Sequence, residues 1–570
     1  VKDVLLFART ATHLRWSQVL DRPLRTLKRR CFVGRAPNDL SLARAPVAIA
    51  AAWAHADHRF VVDMLDGRDR RNTRPELTDS TVWRRRHAST SSANAVQQFE
   101  YAIGFANAAR ATGDGRFGRS LLELIRGWIA ANPDRTAEGW DAFRIAHRTG
   151  NWIRAAALLD ADAISLELQE AMTRSIWAQS EQLRQNLEYH VAGNHLLKNL
   201  TALSTVSLAI DSRASARRRA FALPRLWEEI VDQVLDDGAH VERSPMYAVI
   251  GLADCLEVVA WCDARGETVP RDIRERLRKM YDSLGLLMRP DGTLHAFNDC
   301  CRSSPVPLPV LFTLARAALG GGMPQRREGP MSLADAGYFG YSHGADRLFI
   351  DCGALGPSYQ PGHGHCDLLS FELDLAGSMV IVDSGTSDYM DARVRQHQRS
   401  TAAHNTLELN GLDQAELWST YRVARRPEVR SAAFERDSFA FHGAYSPYHE
   451  PRLVHRRSFE LRSAGDYSFV DSVEGCVQSA RGFLHFHPDF DARIEDRRVI
   501  LNRRSGGLQV AIESEDWSDL RLVRGALAPP QGWYALGDER RVPSFALEYA
   551  PFSGSRQESR VTIRAACTGT

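Results

Sequence analysis

Apolar residues recur with a helical period along roughly the first 315 positions of the chain. The clearest stripe is Leu226, Trp227, Ile230, Val231, Val234 and Leu235, which stops at Asp236-Asp237-Gly238. Similar stripes occupy 43–65, 96–111, 119–131, 152–187, 195–210, 246–262 and 271–288, so at least eight helices follow one another with short polar connections. Such an array predicts a bundle, solenoid or toroid. No fixed-length repeat is present, which favours an (α/α) toroid of irregular hairpins over a regular solenoid.

The period then changes. The run GGGMPQRREGP between Gly320 and Pro330 has the composition of an exposed connection. Beyond it, Leu369, Phe371, Leu373 and Leu375 alternate with Leu368, Ser370, Glu372 and Asp374, and short β-rich segments follow at 379–383, 405–410, 457–462, 467–473, 481–487 and 508–513. The expectation is a helical toroid over 1–319 and an antiparallel β-sandwich over 331–570, with a site in the cleft between them.

Composition narrows the function classes. With 44% hydrophobic and 25% charged residues the chain is an ordinary globular protein able to bury a core without staples. A formal net charge of +2 falls well short of the basic excess that phosphate neutralisation demands, so no nucleic-acid partner is expected. Nine cysteines without a C-x-x-C pair suggest mostly buried thiols. The opening VKDVLLFARTATHLRW has an apolar stretch of only five residues, Val4 to Ala8, before Arg9, too short for a secretory signal. Ala45 to Ala54, ten residues with a proline, is too short to span a bilayer, so no membrane span is expected. The sequence as given therefore reads as cytoplasmic, or periplasmic if a leader has been lost.

The densest polar constellation is PGHGHCDLLSFELDLAGSMVIVDSGTSDY followed by RSTAAHNTLELNG. His363 and His365 share one face if the backbone there is extended. Together with Asp383 and His404, His365 offers two imidazoles and a carboxylate on neighbouring strand ends, a set suited to one zinc ion with an open fourth position. His485-Phe486-His487 has the same spacing without a matching acid and reads as structural or substrate-lining. In the helical half stand Tyr189, His190, Asn194 and His195, where Gly193 marks either a kink or a helix start capped by Asn194. Ser244-Pro245 reads as an N-cap with proline in the first turn, leaving Tyr247 beside the apolar stripe of its helix.

These residues carry a resemblance. The segments RTGNWIRA (148–155), GNHLLKN (193–199), ERSPMY (242–247), PGHGHCDLLSFEL (361–373), VDSGTSDY (382–389) and RSTAAHNTLELNG (399–411) are similar, in order, to the heparinase II/III-like polysaccharide lyases. The resemblance spans about residues 140 to 430. It implies a toroid followed by a β-sandwich and β-elimination on an anionic uronic-acid polysaccharide, whether glycosaminoglycan, alginate or bacterial exopolysaccharide. Carried over by residue, it implies that Asn194 and His195 neutralise the substrate carboxylate and that Tyr247 and His363 act as acid and base. His365, Asp383 and His404 fall where several members hold zinc. The opening RTATHLRWSQVLDRPLRTLKRR also resembles signal-less members found with bacterial surface-polysaccharide genes.

There are departures. One branch places a glutamate near where Lys198 stands here, which puts this chain nearer the asparagine-using branches. Tyr389 is the only tyrosine between Asp383 and His404, as a counterpart to the second tyrosine of alginate-acting members. Arg393 and Arg399 are candidates for pairing with uronate or sulfate, or else structural. The runs Arg84-Arg85-Arg86 and Arg217-Arg218-Arg219 read as solvated faces. Two other readings compete: a glycoside hydrolase drawing on Glu242, Asp141 or Asp299, for which no spacing singles out a pair, and a non-catalytic polysaccharide-binding or biosynthetic scaffold.

Overall fold

The computed structural model describes residues 2–28, 36–59, 61–62, 94, 96–133, 135, 138–302, 306–435, 440–537, 540–552 and 556–566. The run Arg84-Arg85-Arg86, residues 63–65 of the first helical stripe, Cys31 and Cys567 lie outside the described residues.

Helices dominate as far as Leu319, and the first strand of the large sheets begins at Gly329. Two short helices, α1 (Lys2–Ala11) and α2 (Trp16–Lys28), precede the helical array. Within the array, α3 (Ala142–Leu158), α4 (Gly193–Ala209) and α5 (Pro245–Arg265) position the residues discussed below. The stripe expected as one unit at 152–187 is two helices, because the chain turns at Leu159 and restarts with Ser165 as an N-cap.

Helix α5 is apolar on nearly every side, which makes it a central helix. It is long and apolar enough to cross a bilayer, yet 89% of its most apolar window is buried inside the protein, so its apolarity is spent on the core. Around it the helical core takes in Leu333, Ala336, Tyr338 and Phe349 from the first strands, so the helical and β regions are packed against each other rather than tethered.

All the strand pairs in the three larger sheets are antiparallel. A five-stranded meander that includes β1 (Phe371–Leu375) and β2 (Ser378–Ile381) lies next to the helices. An eight-stranded sheet containing β3 (Val454–Ser463) and β4 (Asp466–Glu474), and a four-stranded sheet, complete the sandwich. Alternating strand residues such as Phe459, Phe469, Val499 and Ile563 fill its interior. At the seam, Arg289 and Arg302 pair with the buried Glu372 of β1, and His295 Nδ1 lies 2.7 Å from the same carboxylate. A buried carboxylate so surrounded stays ionised, and its pKa lies well below the usual range despite the opposing effect of burial.

One smaller expectation changes, that of the Arg217-Arg218-Arg219 run as a solvated face. Arg218 is not solvated: its guanidinium lies 3.2 Å over the Trp177 ring and pairs with Glu181 at 2.6 Å, and Arg219 pairs with Glu267 at 2.6 Å. Of the described cysteines, Cys476 is exposed. His485 is structural, held between Asn405 and Gln531.

Candidate active site

The helical and β regions enclose a cleft of about 880 Å³ whose wall includes Phe143, His195, Tyr247, His363, Tyr389 and Tyr421. Tyr247 reaches it from the first turn of α5. Ser244 caps that helix by accepting the Tyr247 N–H at 3.3 Å, and Pro245 fixes the first turn, as the Ser-Pro pair predicts. His363 comes from the loop between the strand Asp346–Asp351 and β1, and its ring centroid is 4.4 Å from that of Tyr247.

Beneath this pair lies Asp299, a buried carboxylate considered in the sequence only as a hydrolase acid. One oxygen takes His363 Nδ1 at 2.7 Å and the other takes His365 Nε2 at 2.9 Å. Arg395, on α6 (Ala392–Arg399), grips both oxygens through its two terminal nitrogens. Burial alone would raise the carboxyl, but Arg395 and the two histidines outweigh it and hold the pKa well below the usual range. A carboxylate only accepts, so Nδ1 of His363 carries a proton, and in the neutral ring the lone pair is on Nε2, 3.9 Å from Glu242. Asp299 thus fixes the tautomer of the neutral ring that packs against Tyr247. The Tyr247 phenol is raised well above its ordinary value, by burial first and then by Asp299 and Glu242, so it stays protonated at neutral pH.

The same logic acts one layer deeper. His365, with Nε2 committed to Asp299, has a buried Nδ1 without a partner, and His404, with Nδ1 at 2.6 Å from Asp383, has a buried Nε2 without one. Donor atoms of His365, Asp367 and His404 all lie within 4.8 Å of one another. Two orphaned imidazole nitrogens facing a carboxylate fit a metal ion, and this group could bind one. Burial pushes Asp367 up to about 6 and His365 down to about 3, so the imidazole is neutral, as a ligand must be. The acid in this donor group is Asp367, which the sequence reading passed over. Asp383, the acid it named, holds the far nitrogen of His404.

Asn194 is not an N-cap, and it does not line the cleft. Helix α4 begins at Gly193, whose φ is +54° and whose Cβ, if present, would meet Glu242 Oε1 at 2.0 Å. That close approach requires glycine, and it lets Glu242 accept the Asn194 N–H at 2.7 Å as a cap supplied from elsewhere in the fold. The Asn194 amide oxygen is buried without a partner in the first turn of α4. His195, next in line, does reach the cleft, stacked on Phe143 at 4.5 Å and lying 3.4 Å from Glu188. Burial opposes its charge, yet Glu188, with Glu242 and Asp141, raises its pKa above the ordinary value. Lys198 is paired with Asp254 at 2.8 Å within a buried network that includes Arg154 and Glu257.

Tyr389 lines the cleft, and its hydroxyl adjoins that of Tyr247. Tyr421, missed in the sequence, stacks on Tyr389 at 6.2 Å, and Arg395 lies over both rings. The structure does not bring Arg393 or Arg399 to the cleft wall. Arg393 is exposed, while Arg399 is buried and donates to the carbonyls of Gly364 and Thr420. Asp299 had one visible signal, an acid bracketed by Ala-Phe and Cys-Cys in AFNDCC; Arg395 and Tyr421 had none.

A helical array followed by antiparallel sheets is the architecture of the toroid-plus-sandwich class. Residues 94–307 match the family model for the heparinase II/III N-terminus, and residues 325–564 match that for the heparinase II/III-like C-terminal region. The chain belongs to the heparinase II/III-like family. It is 24% identical over 360 residues to a heparin-sulfate lyase of Bacteroides thetaiotaomicron, covering 55% of this chain and 51% of that protein. It is 24% identical over 272 residues to the FtsZ-localized protein C of Caulobacter vibrioides, covering 47% and 45%. The chain thus spans about half the length of the curated relatives it matches. Among solved structures, heparinase III superposes with a TM-score of 0.68 at 17% identity, over 96% of this chain and 90% of that one. The heparan sulfate lyase HepC of Pedobacter heparinus gives 0.59 at 16%, over 97% and 89%. These likenesses establish the shared fold.

Proposed function

We propose that the protein is a polysaccharide lyase that cleaves uronic-acid chains by β-elimination. The observation that carries this reading is the Tyr247–His363 pair, 4.4 Å apart in the cleft, with Asp299 holding His363 Nδ1. Loss of the C5 proton beside a carboxylate builds enolate-like charge, so the carboxylate must first be neutralised. His195, its charge supported by Glu188, does this from the cleft wall. His363 Nε2 then takes the C5 proton. The C5–H electron pair becomes the C4=C5 double bond as the bond from C4 to the linking oxygen breaks. Tyr247 delivers its proton to that oxygen, leaving an unsaturated uronate on one product and a hydroxyl on the other. Imidazolium and phenolate return to their resting forms by exchange with water.

Two imidazoles and a carboxylate suit zinc, and His365, Asp367 and His404 would hold it, with Asp383 orienting His404. A bound zinc would add fixed positive charge and tie the loop bearing His363 to the strands behind it. The polymer is an anionic uronic-acid polysaccharide or oligosaccharide, as the heparin-sulfate lyase relative suggests.

The test is ultraviolet absorbance of the unsaturated uronate during incubation with heparan, hyaluronan, chondroitin, alginate and bacterial exopolysaccharides. Absorbance should rise with at least one polymer and fall by about 10²–10⁴-fold in Tyr247→Phe. The match to FtsZ-localized protein C supports a second reading, a fold kept for a non-catalytic task. That reading predicts no rise with any polymer and Tyr247→Phe without consequence.

A further inference from the structure

The two walls of the cleft are bridged by a third element, the α1–α2 hairpin. Its first helix is tied to the β region, where Arg9 pairs with Glu416 at 2.9 Å and Trp418 donates to the Thr10 hydroxyl at 3.0 Å. Its turn and second helix are tied to the helical region, where Arg15 pairs with Asp232 at 2.7 Å and Asp21 meets His190 at 3.2 Å. Between these anchorages Arg15 lies 3.5 Å over the Tyr359 ring, and Gln18 donates to the Tyr359 carbonyl at 3.2 Å. A helix merely resting on the surface would leave its polar side chains in water. Here Gln18 and Asp21 are 1% and 5% exposed, whereas Trp16 and Leu20 on the far face of α2 are 81% and 60% exposed. Polar contacts with the cleft walls, rather than an apolar face, therefore set how α2 lies. The buried Gln18 and Asp21 contacts hold it more firmly than the half-exposed Arg9 and Arg15 pairs, because water screens the latter.

The hairpin also lines the cleft. Phe7 of α1, Leu14 of the turn, and Gln18 and Arg22 of α2 share the cavity with Tyr247 and His363. An open groove lets a polymer lie across the reacting atoms with chain continuing in both directions. A cleft crossed from wall to wall leaves room for continuing chain on one side only. Its volume of about 880 Å³ is that of a pocket enclosing one small ligand. On the crossed side Arg22 brings a positive charge suited to the carboxylate of a terminal sugar.

We propose that the α1–α2 hairpin is an end wall, and that the site acts on the ends of uronic-acid chains and removes short unsaturated units stepwise. This inference rests on the lyase reading and adds to it which part of the polymer the site takes. The bond chemistry of each turnover is the elimination described above, with the cleaved linkage at a fixed short distance from the chain end.

The test uses whichever of the polymers above gives the largest rise in absorbance, fractionated by length, with viscosity and product masses followed alongside. The native protein is expected to give short unsaturated products from the first time points, with viscosity near its starting value while double bonds accumulate. At equal mass concentration of polymer, its rate should rise in proportion to the number of chain ends. Phe7→Ala/Leu14→Ala thins the wall without touching the Gln18 and Asp21 contacts, and should raise the rate on intact polymer relative to a tetrasaccharide by at least about ten-fold. Early loss of viscosity with long products, a rate indifferent to chain length, or an unchanged length preference in the double variant overturns the inference and leaves the lyase reading intact. If the double variant melts early, the length series on the native protein decides alone. Absorbance that rises with no polymer removes the lyase reading, and this inference with it.

Discussion

Two buried aspartates in this protein have nearly the same company and, on the proposed function, opposite roles. In the β-sandwich, Asp471 of β4 receives Arg457 through two nitrogens at 2.7 and 2.8 Å and His455 at 2.9 Å, both from the facing β3. At the cleft, Asp299 receives Arg395 and two histidines. Both carboxyls are held below the ordinary range by an arginine against the opposing effect of burial. The difference lies in where the remaining histidine atoms point. His455 is wholly buried, with an Nδ1 that meets nothing, whereas the His363 ring packs on Tyr247 at the cleft wall, with its far nitrogen 3.9 Å from Glu242. A buried Asp–Arg–His cluster is therefore a staple by default, and becomes chemical equipment only where one histidine nitrogen reaches a space that substrate can enter.

The comparison is broken most forcefully by the same substitution at both places. Asp299→Asn should cut elimination by ~10³-fold or more, because the amide can hold the wrong His363 tautomer. Asp471→Asn should leave the rate per folded molecule unchanged and destabilise the protein by about 3–5 kcal/mol, the cost of stranding a buried arginine, read by denaturant unfolding. Equal losses of activity in both variants would erase the distinction. Acid sharpens it further. The Asp471 carboxyl is depressed from 3.8 to about 2, so its contribution is complete above pH 3.8 and lost as pH falls toward 2. Unfolding measured against pH in that window should be steeper for the native protein than for Asp471→Asn.

Much of this was legible in the sequence, and the reasons differ by element. Helix and strand regions announced themselves because one-sided burial imposes a period of 3.6 or 2. Tyr247 could be placed because Ser244-Pro245 is a local cap whose geometry needs no tertiary partner. Asp299 escaped because its partner His363 is 64 positions away and their contact is made by folding. Asp367 joins His365 and His404 among the converging donors while Asp383 lies against the other nitrogen of His404, because loop geometry, which no spacing reports, decides which carboxylate faces the orphaned nitrogens. At Gly193 the sequence leaves a kink or a helix start capped by Asn194; the helix does start there, but its cap is Glu242, supplied from another segment. Helix α2 shows a further limit: periodicity reveals that a face is apolar but not that it faces the core.

A smaller effect separates the two histidine sets by metal. The cleft side has His365, Asp367 and His404 with converging donors, and His455 has no such neighbours among the described residues. Extended chelation should therefore lower the melting temperature by several degrees, on the scale of about 1–2 kcal/mol, and His404→Ala should abolish the response. Metal analysis of the purified protein should return close to one zinc per chain. The smallest expected effect concerns His195. Its pKa is raised, so its charge and the stability tied to that charge are complete below its ordinary value of 6.5 and fade as pH rises through the higher folded value. Removing the main supporting charge with Glu188→Gln should move the alkaline limb of the rate profile to lower pH by less than about one unit.

The most direct measurement is the initial rate of double-bond absorbance on a responsive uronic-acid polymer, for the native protein, Asp299→Asn and Asp471→Asn side by side, with product masses recorded. A product one water lighter than the hydrolytic fragment, formed at full rate per folded molecule by Asp471→Asn and almost not at all by Asp299→Asn, is the predicted result. Products of hydrolytic mass, or an Asp299→Asn rate that matches the native protein, would contradict the assignment of the Tyr247–His363 pair over Asp299 as a lyase site.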